Sequence, residues 1–155
     1  MKFRISDTIM DTGPFQLDPR LAADAVHVCD APLSRVLLMN DANYPWVVLV
    51  PRRANLRELI DLPHAEQITL WAEIAGVSGA MRELFAPDKL NVAALGNVVA
   101  QLHVHVIART TNDPAWPAPV WGKVPSMAYV EAAREARLTA LRQALRGSGF
   151  SCDGR

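Results

Sequence analysis

The chain has 155 residues, half of them hydrophobic and 21 % charged, with 16 basic side chains balanced by 16 acidic ones. That length fits one domain with a sizeable core, and a formal charge of zero gives no basic footprint for nucleic acid, Arg52-Arg53 being the sole obvious basic pair. No membrane span is expected, because the most apolar stretch, 68–81, is broken by Glu73, and a span needs roughly 20 mostly apolar residues.

Asp7 and Asp11 fall where a signal peptide would need its apolar run. Cys29 and Cys152 are far apart and share no metal-ligand spacing, so they read as free thiols of a reducing compartment. The expected location is the cytoplasm.

Residues 1–14 show no period and are expected as an arm. Asp18 before Pro19 looks like a short helix start. Residues 25–30 (AVHVCD) read as a strand with Val26 and Val28 on one side, and residues 34–40 (SRVLLMN) and 46–50 (WVVLV) as two more. The turn formers of NDANYP join the latter pair into a hairpin. Residues 55–60 are expected to form one or two helical turns. Asp61 and Pro63 open a long helix that Pro87 ends, with Ile68, Trp71, Ile74, Ala75, Met81, Leu84 and Phe85 as its buried face. Gly76 and Gly79 weaken it by about 1 kcal/mol each, which suggests that another backbone approaches there.

Strands at 89–95 (KLNVAAL) and 101–109 (QLHVHVIAR) follow, joined through Gly96-Asn97. Five strands with one long helix among them predict an α+β fold with a five-stranded antiparallel sheet, since parallel units would need helices between successive strands. Residues 111–125, rich in proline and tryptophan, read as an ordered but irregular linker after a domain spanning 15–110. Residues 126–155 are expected as a helix and tail: Ser126 caps a helix to Arg146, with Tyr129, Ala133, Leu138, Leu141 and Leu145 on its apolar side.

The strand at 101–109 carries the chemistry. Alternation sends Leu102, Val104, Val106 and Ala108 to the core, and Gln101, His103, His105 and Ile107 to the opposite face, with roughly 7 Å between alternate side chains. A solvated edge would account for two such histidines. A metal site would need a third ligand, which neither His27 nor His64 offers by spacing. Nucleophilic attack on phosphorus is the third reading: a neutral imidazole is available near neutral pH, provided its second nitrogen is held in place. Gly96 and Asn97 could then present N–H groups to phosphate.

The segment QLHVHVI resembles the alternating motif of the histidine triad family, His-φ-His-φ-His-φ-φ with φ apolar, followed by a basic residue at Arg109. LLMNDANYPWVVLVPRR resembles that family's Asn-containing hairpin, and KLNVAALGNVVAQLHVH its Asn-loop-Gly-Gln-Ser-x-x-His stretch, in the family's order. The resemblance implies an antiparallel α+β homodimer that hydrolyses or transfers nucleoside phosphates at the α-phosphorus, on substrates such as diadenosine polyphosphates or nucleoside phosphoramidates. It implies no required cofactor and leaves room for a divalent cation carried on the substrate's phosphates.

By that resemblance His103 is the nucleophile, transiently nucleotidylated, and His105 assists at phosphate and leaving group. Asn40 would contact ribose, Asn91 sugar and phosphates, and Asn97 phosphate. Trp116 and Trp121 would cover the base or simply pack, and Leu17 and Val26 would wall the base pocket. The chain departs from the pattern twice: Gln101 stands at the first histidine position, and Val98 replaces a phosphate-facing serine. A lost hydroxyl donor is worth on the order of 10² in rate. The expected function is therefore nucleotidyl hydrolysis through His103, with two alternatives: a nucleotide-binding regulatory module, or a metal-dependent hydrolase using His103 and His105 as ligands.

Overall fold

In the computed structural model, residues 13–153 are described. The elements run α1 (Pro19–Asp24), β1 (Ala25–Asp30), β2 (Ser34–Met39), β3 (Trp46–Pro51), a 3-10 turn (Leu59–Asp61), α2 (His64–Phe85), β4 (Lys89–Ala93), β5 (Val104–Arg109) and α3 (Glu131–Leu145). The strands form one antiparallel sheet in the order β1-β2-β3-β5-β4. The α+β architecture with five antiparallel strands and one long central helix is as the sequence predicts. Among the described residues no helix is long and apolar enough to cross a membrane.

Local chemistry sets the element ends. The Asp18 carboxylate accepts the Arg20 N–H at 2.9 Å and Pro19 opens α1, a pairing that satisfies an orphan donor where proline costs nothing. Ala86, with φ +41, closes α2 just before Pro87. Of the one or two helical turns expected at 55–60, a single 3-10 turn forms at the end of that stretch, after Asn55, which sits at φ +56.

Both faces of the sheet are covered. On one, α2 and α3 bury a large cluster that includes Val36, Leu49, Leu70, Val77, Val106 and Leu141. The other face carries its own cluster, with Leu21, Leu37, Tyr44, Trp46, Val48 and Ile107 capped by Ala115 and Val120. Residues 111–125 thus run across this second face.

Three expectations are corrected. The buried side of α2 is Leu70, Glu73, Ile74, Val77, Ala80 and Met81, while Ile68 and Trp71 are 58 % and 65 % exposed and Ala75 also faces out. The buried face is rotated because Glu73, an acid in the middle of it, points inward and accepts the backbone N–H groups of Leu33 and Ser34 at the β1–β2 turn. A buried carboxylate is tolerated when it is hydrogen-bonded in this way.

The last helix starts at Glu131, not at Ser126. Residues 127–130 stay outside the helix: the Met127 carbonyl accepts from Ala42 N–H, and Tyr129 N–H donates to Asn40 Oδ1 at 3.1 Å. Leu138, Leu141 and Leu145 are buried as expected, whereas Ala133 is exposed.

Gly76 does not admit a backbone. A Cβ there would lie 3.0 Å from the Phe150 ring, and at Gly79 it would meet nothing within 4 Å.

Candidate active site

The strand bearing the histidines begins at Val104, so Gln101, Leu102 and His103 form its approach. His105 lies within β5, opposite Val48 of β3 and Ala93 of β4. The expectation that the two histidines face away from apolar packing is corrected by the second cluster. His103 is 7 % and His105 4 % exposed, with ring centroids 4.8 Å apart.

Their ring nitrogens have defined partners. His103 Nδ1 lies 2.6 Å from the Gln101 carbonyl. A carbonyl only accepts, so Nδ1 carries the proton and Nε2 presents its lone pair. His105 Nδ1 lies 3.0 Å from Trp46 Nε1. An indole N–H only donates, so here Nδ1 is the acceptor and Nε2 holds the proton. Trp121 meets both the Trp46 and His105 rings edge-on, with centroids 5.6 Å and 5.1 Å away. In this aromatic cage burial, reinforced by neighbouring His103, pulls the His105 pKa down to about 3. Its imidazole is neutral at pH 7.

Gln101 anchors this approach with its side chain as well. Its Oε1 accepts Asp18 N–H at 2.9 Å and its Nε2 donates to the Gln16 carbonyl at 2.8 Å. The backbone carbonyl that orients His103 is therefore clamped to the segment before α1. Arg20 ties down the preceding loop by donating to the Val98 carbonyl at 2.7 Å.

The remaining expected residues separate into groups. Gly96, at φ +76, lines a cavity of about 240 Å³ with His103, Arg57, Leu59 and Leu95. A left-handed φ of that size favours glycine. Asn97 and Val98, next in the loop, are exposed. Asn40 lines a larger recess of about 540 Å³ with Asp24, Trp46 and Trp121, and its side-chain oxygen is engaged by Tyr129. Leu17 and Val26 line a third recess with His27, Asp30, Arg35 and Arg142, which includes neither His103 nor His105.

Asn91 accepts from Arg109 Nη1 at 2.8 Å. Arg109, 1 % exposed, also makes a two-pronged pair with Asp113 at 2.7 and 2.9 Å and reaches the Ala118 carbonyl. Burial alone would raise the Asp113 carboxyl; the Arg109 hydrogen bond and the N–H groups of Ala115 and Thr110 outweigh it and hold it below the ordinary carboxylate range.

Sequence reasoning assigns no role to Trp46, and it treats Arg109 only as a basic residue at a familiar position. The signal for Trp46 is the hairpin register: Trp46 pairs with Ile107, so His105 is its diagonal neighbour on one face. Among the described residues no group of three or more His, Cys, Asp or Glu side chains could hold a metal ion.

With this geometry established, residues 20–112 match the HIT domain model. The chain belongs to the HIT family. It is similar to the crystal structure of a histidine triad protein from Bradyrhizobium japonicum, 48 % identical, with 86 % of this chain and 99 % of that one covered and a TM-score of 0.84. A histidine triad protein from Marinobacter aquaeolei is 50 % identical, with coverage of 86 % and 97 % and the same TM-score of 0.84. One from Sinorhizobium meliloti is 38 % identical, with coverage of 84 % and 96 % and a TM-score of 0.82. No curated protein matches the chain.

Proposed function

We propose that this HIT protein hydrolyses or transfers nucleotidyl groups at the α-phosphorus of dinucleoside polyphosphates or nucleoside phosphoramidates. The supporting observation is the fixed pair of ring nitrogens: His103 is held through Nδ1 by the Gln101 carbonyl, which leaves Nε2 free to attack. The Nε2 lone pair forms the N–P bond as the bond to the leaving group breaks. Water then forms a new P–O bond, the N–P bond breaks, and the nucleoside monophosphate departs with one proton lost to solvent. His105 Nε2–H donates a hydrogen bond to a phosphate oxygen during both steps. Gly96 offers backbone N–H at the same cavity, while Asn40 and Asn91 serve sugar and phosphate, and exposed Asn97 reaches phosphate from the loop. No cofactor takes part, and a divalent cation arrives with the substrate.

The test is brief exposure to diadenosine tetraphosphate followed by denaturation and peptide mass analysis. The reading expects an adenylylated His103 and turnover abolished in His103→Asn. Equal turnover in variant and parent overturns it.

A second reading, a nucleotide-binding module with little catalysis, is favoured by two observations. The Asn40 side chain is already engaged by Tyr129, and Val98 supplies no hydroxyl. AMP binding without turnover of polyphosphates or phosphoramidates would support it over the first.

We further propose a homodimer through the β4 edge of the sheet. β4 is the terminal strand in the order, and an unpaired edge invites a second strand. Exposed Ile68, Trp71 and Val92 flank it, apolar surface suited to a self-complementary interface. Sedimentation should show a dimer in the parent and a monomer in Trp71→Glu; a parent monomer overturns the proposal.

A further inference from the structure

The tail after α3 folds back onto β1. Asp30 N–H donates to the Ser151 carbonyl at 3.1 Å and Ser151 N–H to the Asp30 carbonyl at 2.7 Å, an antiparallel bridge. Two residues that exchange both hydrogen bonds form the hydrogen-bonded kind of pair. One step along the same ladder comes the non-hydrogen-bonded kind, in which side chains stand closest and Cα atoms are about 4.5 Å apart. Stepping back from Asp30 and forward from Ser151 gives Cys29 and Cys152.

The expectation of two distant thiols is thereby corrected. Both cysteines are free and buried, and both belong to the same apolar cluster. Cys152 stands close enough to Cys29 to act on its thiol. A disulfide spans Cα separations of about 4.4–6.8 Å, a range that includes the spacing of a non-hydrogen-bonded antiparallel pair.

We propose that Cys29 and Cys152 form a reversible intramolecular disulfide that locks the C-terminal tail to β1. The oxidant is a small-molecule disulfide. One protein sulfur attacks it, giving a mixed disulfide and releasing one thiol. The second protein sulfur then attacks the mixed disulfide and releases the other, so two protein thiols are oxidised while the small disulfide is reduced to two thiols that take up the protons.

The tail supplies the entry. Exposed Ser151 and Asp153 flank Cys152, and exposed residues 146–149 lead into it, so breaking the bridge at Asp30 brings Cys152 out first. Cys29, in a strand that β2 also holds, stays behind as the resolving thiol. Burial, then the neighbouring Cys152, push the Cys29 thiol above its ordinary range while the tail is docked, so Cys29 is a poor first attacker there. The closed bridge holds in place the Phe150 ring, packed against Gly76 of α2, and the end of α3, whose Arg142 reaches the His27 and Val28 carbonyls.

The experiment equilibrates the full chain with glutathione disulfide and reduced glutathione at a series of ratios. Each sample is acid-quenched and measured for intact mass, free thiols and tryptic peptides. The expected product has lost two hydrogens and both thiols, and it yields peptide 21–35 joined to peptide 147–155. Oxidation should raise Tm by roughly 5–15 °C; Cys29→Ser and Cys152→Ser should each lose that rise and give at most a single glutathione adduct. Two free thiols at the most oxidising ratio, links only between chains, or the same Tm rise in Cys29→Ser would overturn the proposal. None of these outcomes depends on catalysis at His103.

Discussion

The indole N–H of Trp46 donates to Nδ1 of His105 at 3.0 Å, which leaves the ring's one proton on Nε2. To release that proton His105 would have to become an imidazolate. It can donate a hydrogen bond to phosphate but cannot act as a proton donor to a leaving group. A polyphosphate departs as a stable anion, whereas the amine of a phosphoramidate needs a proton, and general acid help is worth about 10²–10⁴ in rate. On the proposed reaction, kcat/KM should favour diadenosine tetraphosphate over adenosine phosphoramidate by at least about 100-fold. Trp46→Phe, which frees Nδ1, should narrow that gap. Parent enzyme that cleaves both equally fast would refute the assignment.

The same burial makes stability depend on pH. His105 has a pKa of about 3 when folded, against 6.5 for a free imidazole. Between those values the unfolded chain binds a proton that the folded chain refuses, so stability falls as pH is lowered, by about 1.4 kcal/mol per pH unit through the middle of the window. The depressed Asp113 carboxyl acts in the same direction at the acid end. Urea melts from pH 7 to pH 4 should show the decline, and His105→Gln should flatten it. A profile level over that range, or one unchanged in the variant, would contradict the account.

Much of this was legible in the residues. The runs WVVLV and QLHVHVIAR are β-branched and bounded by turn formers, so local propensity and tertiary need agree, and both strands form with Trp46 and His105 on a shared face. The face of α2 was not legible, because a hydrophobic count cannot tell that Glu73 turns inward to two backbone N–H groups while Trp71 turns out. Nor was the start of α3: Ser126 is a good cap by type, yet Met127 and Tyr129 are drawn into hydrogen bonds with the β2–β3 turn, from the far side of the sequence. Composition also hid the second face, since residues 111–125 look like a linker until Ala115 and Val120 are seen beneath the sheet.

The Arg109–Asp113 pair lies under that segment with side chains 2 % and 7 % exposed. Removing one partner of a buried pair strands the other charge, at a cost of about 3–5 kcal/mol. Asp113→Ala should destabilise the protein by that amount, and it should also loosen Asn91, which shares the guanidinium. Arg134→Ala, whose partner Glu135 is surface-exposed, should change stability by less than about 1 kcal/mol. Chemical denaturation of both variants makes the comparison; similar losses would mean that the buried pair contributes nothing special.

The two glycines of α2 should respond with opposite signs. Alanine is intrinsically better than glycine in a helix by about 1 kcal/mol, and at Gly79 nothing within 4 Å opposes it. Gly79→Ala should therefore stabilise the chain by roughly that amount. At Gly76 the new methyl would sit 3.0 Å and 3.2 Å from two atoms of the Phe150 ring. Forcing a methyl into a packed site costs about 1–3 kcal/mol, enough to cancel or exceed the helical gain. The ring belongs to the tail that pairs with β1 and is itself buried, which limits how far it can yield. Phe150→Leu should relieve the clash, making Gly76→Ala less harmful in that background than in the parent. A double-mutant cycle read by thermal melting decides it: equal effects of Gly76→Ala with and without Phe150 would show that the contact does not constrain the helix.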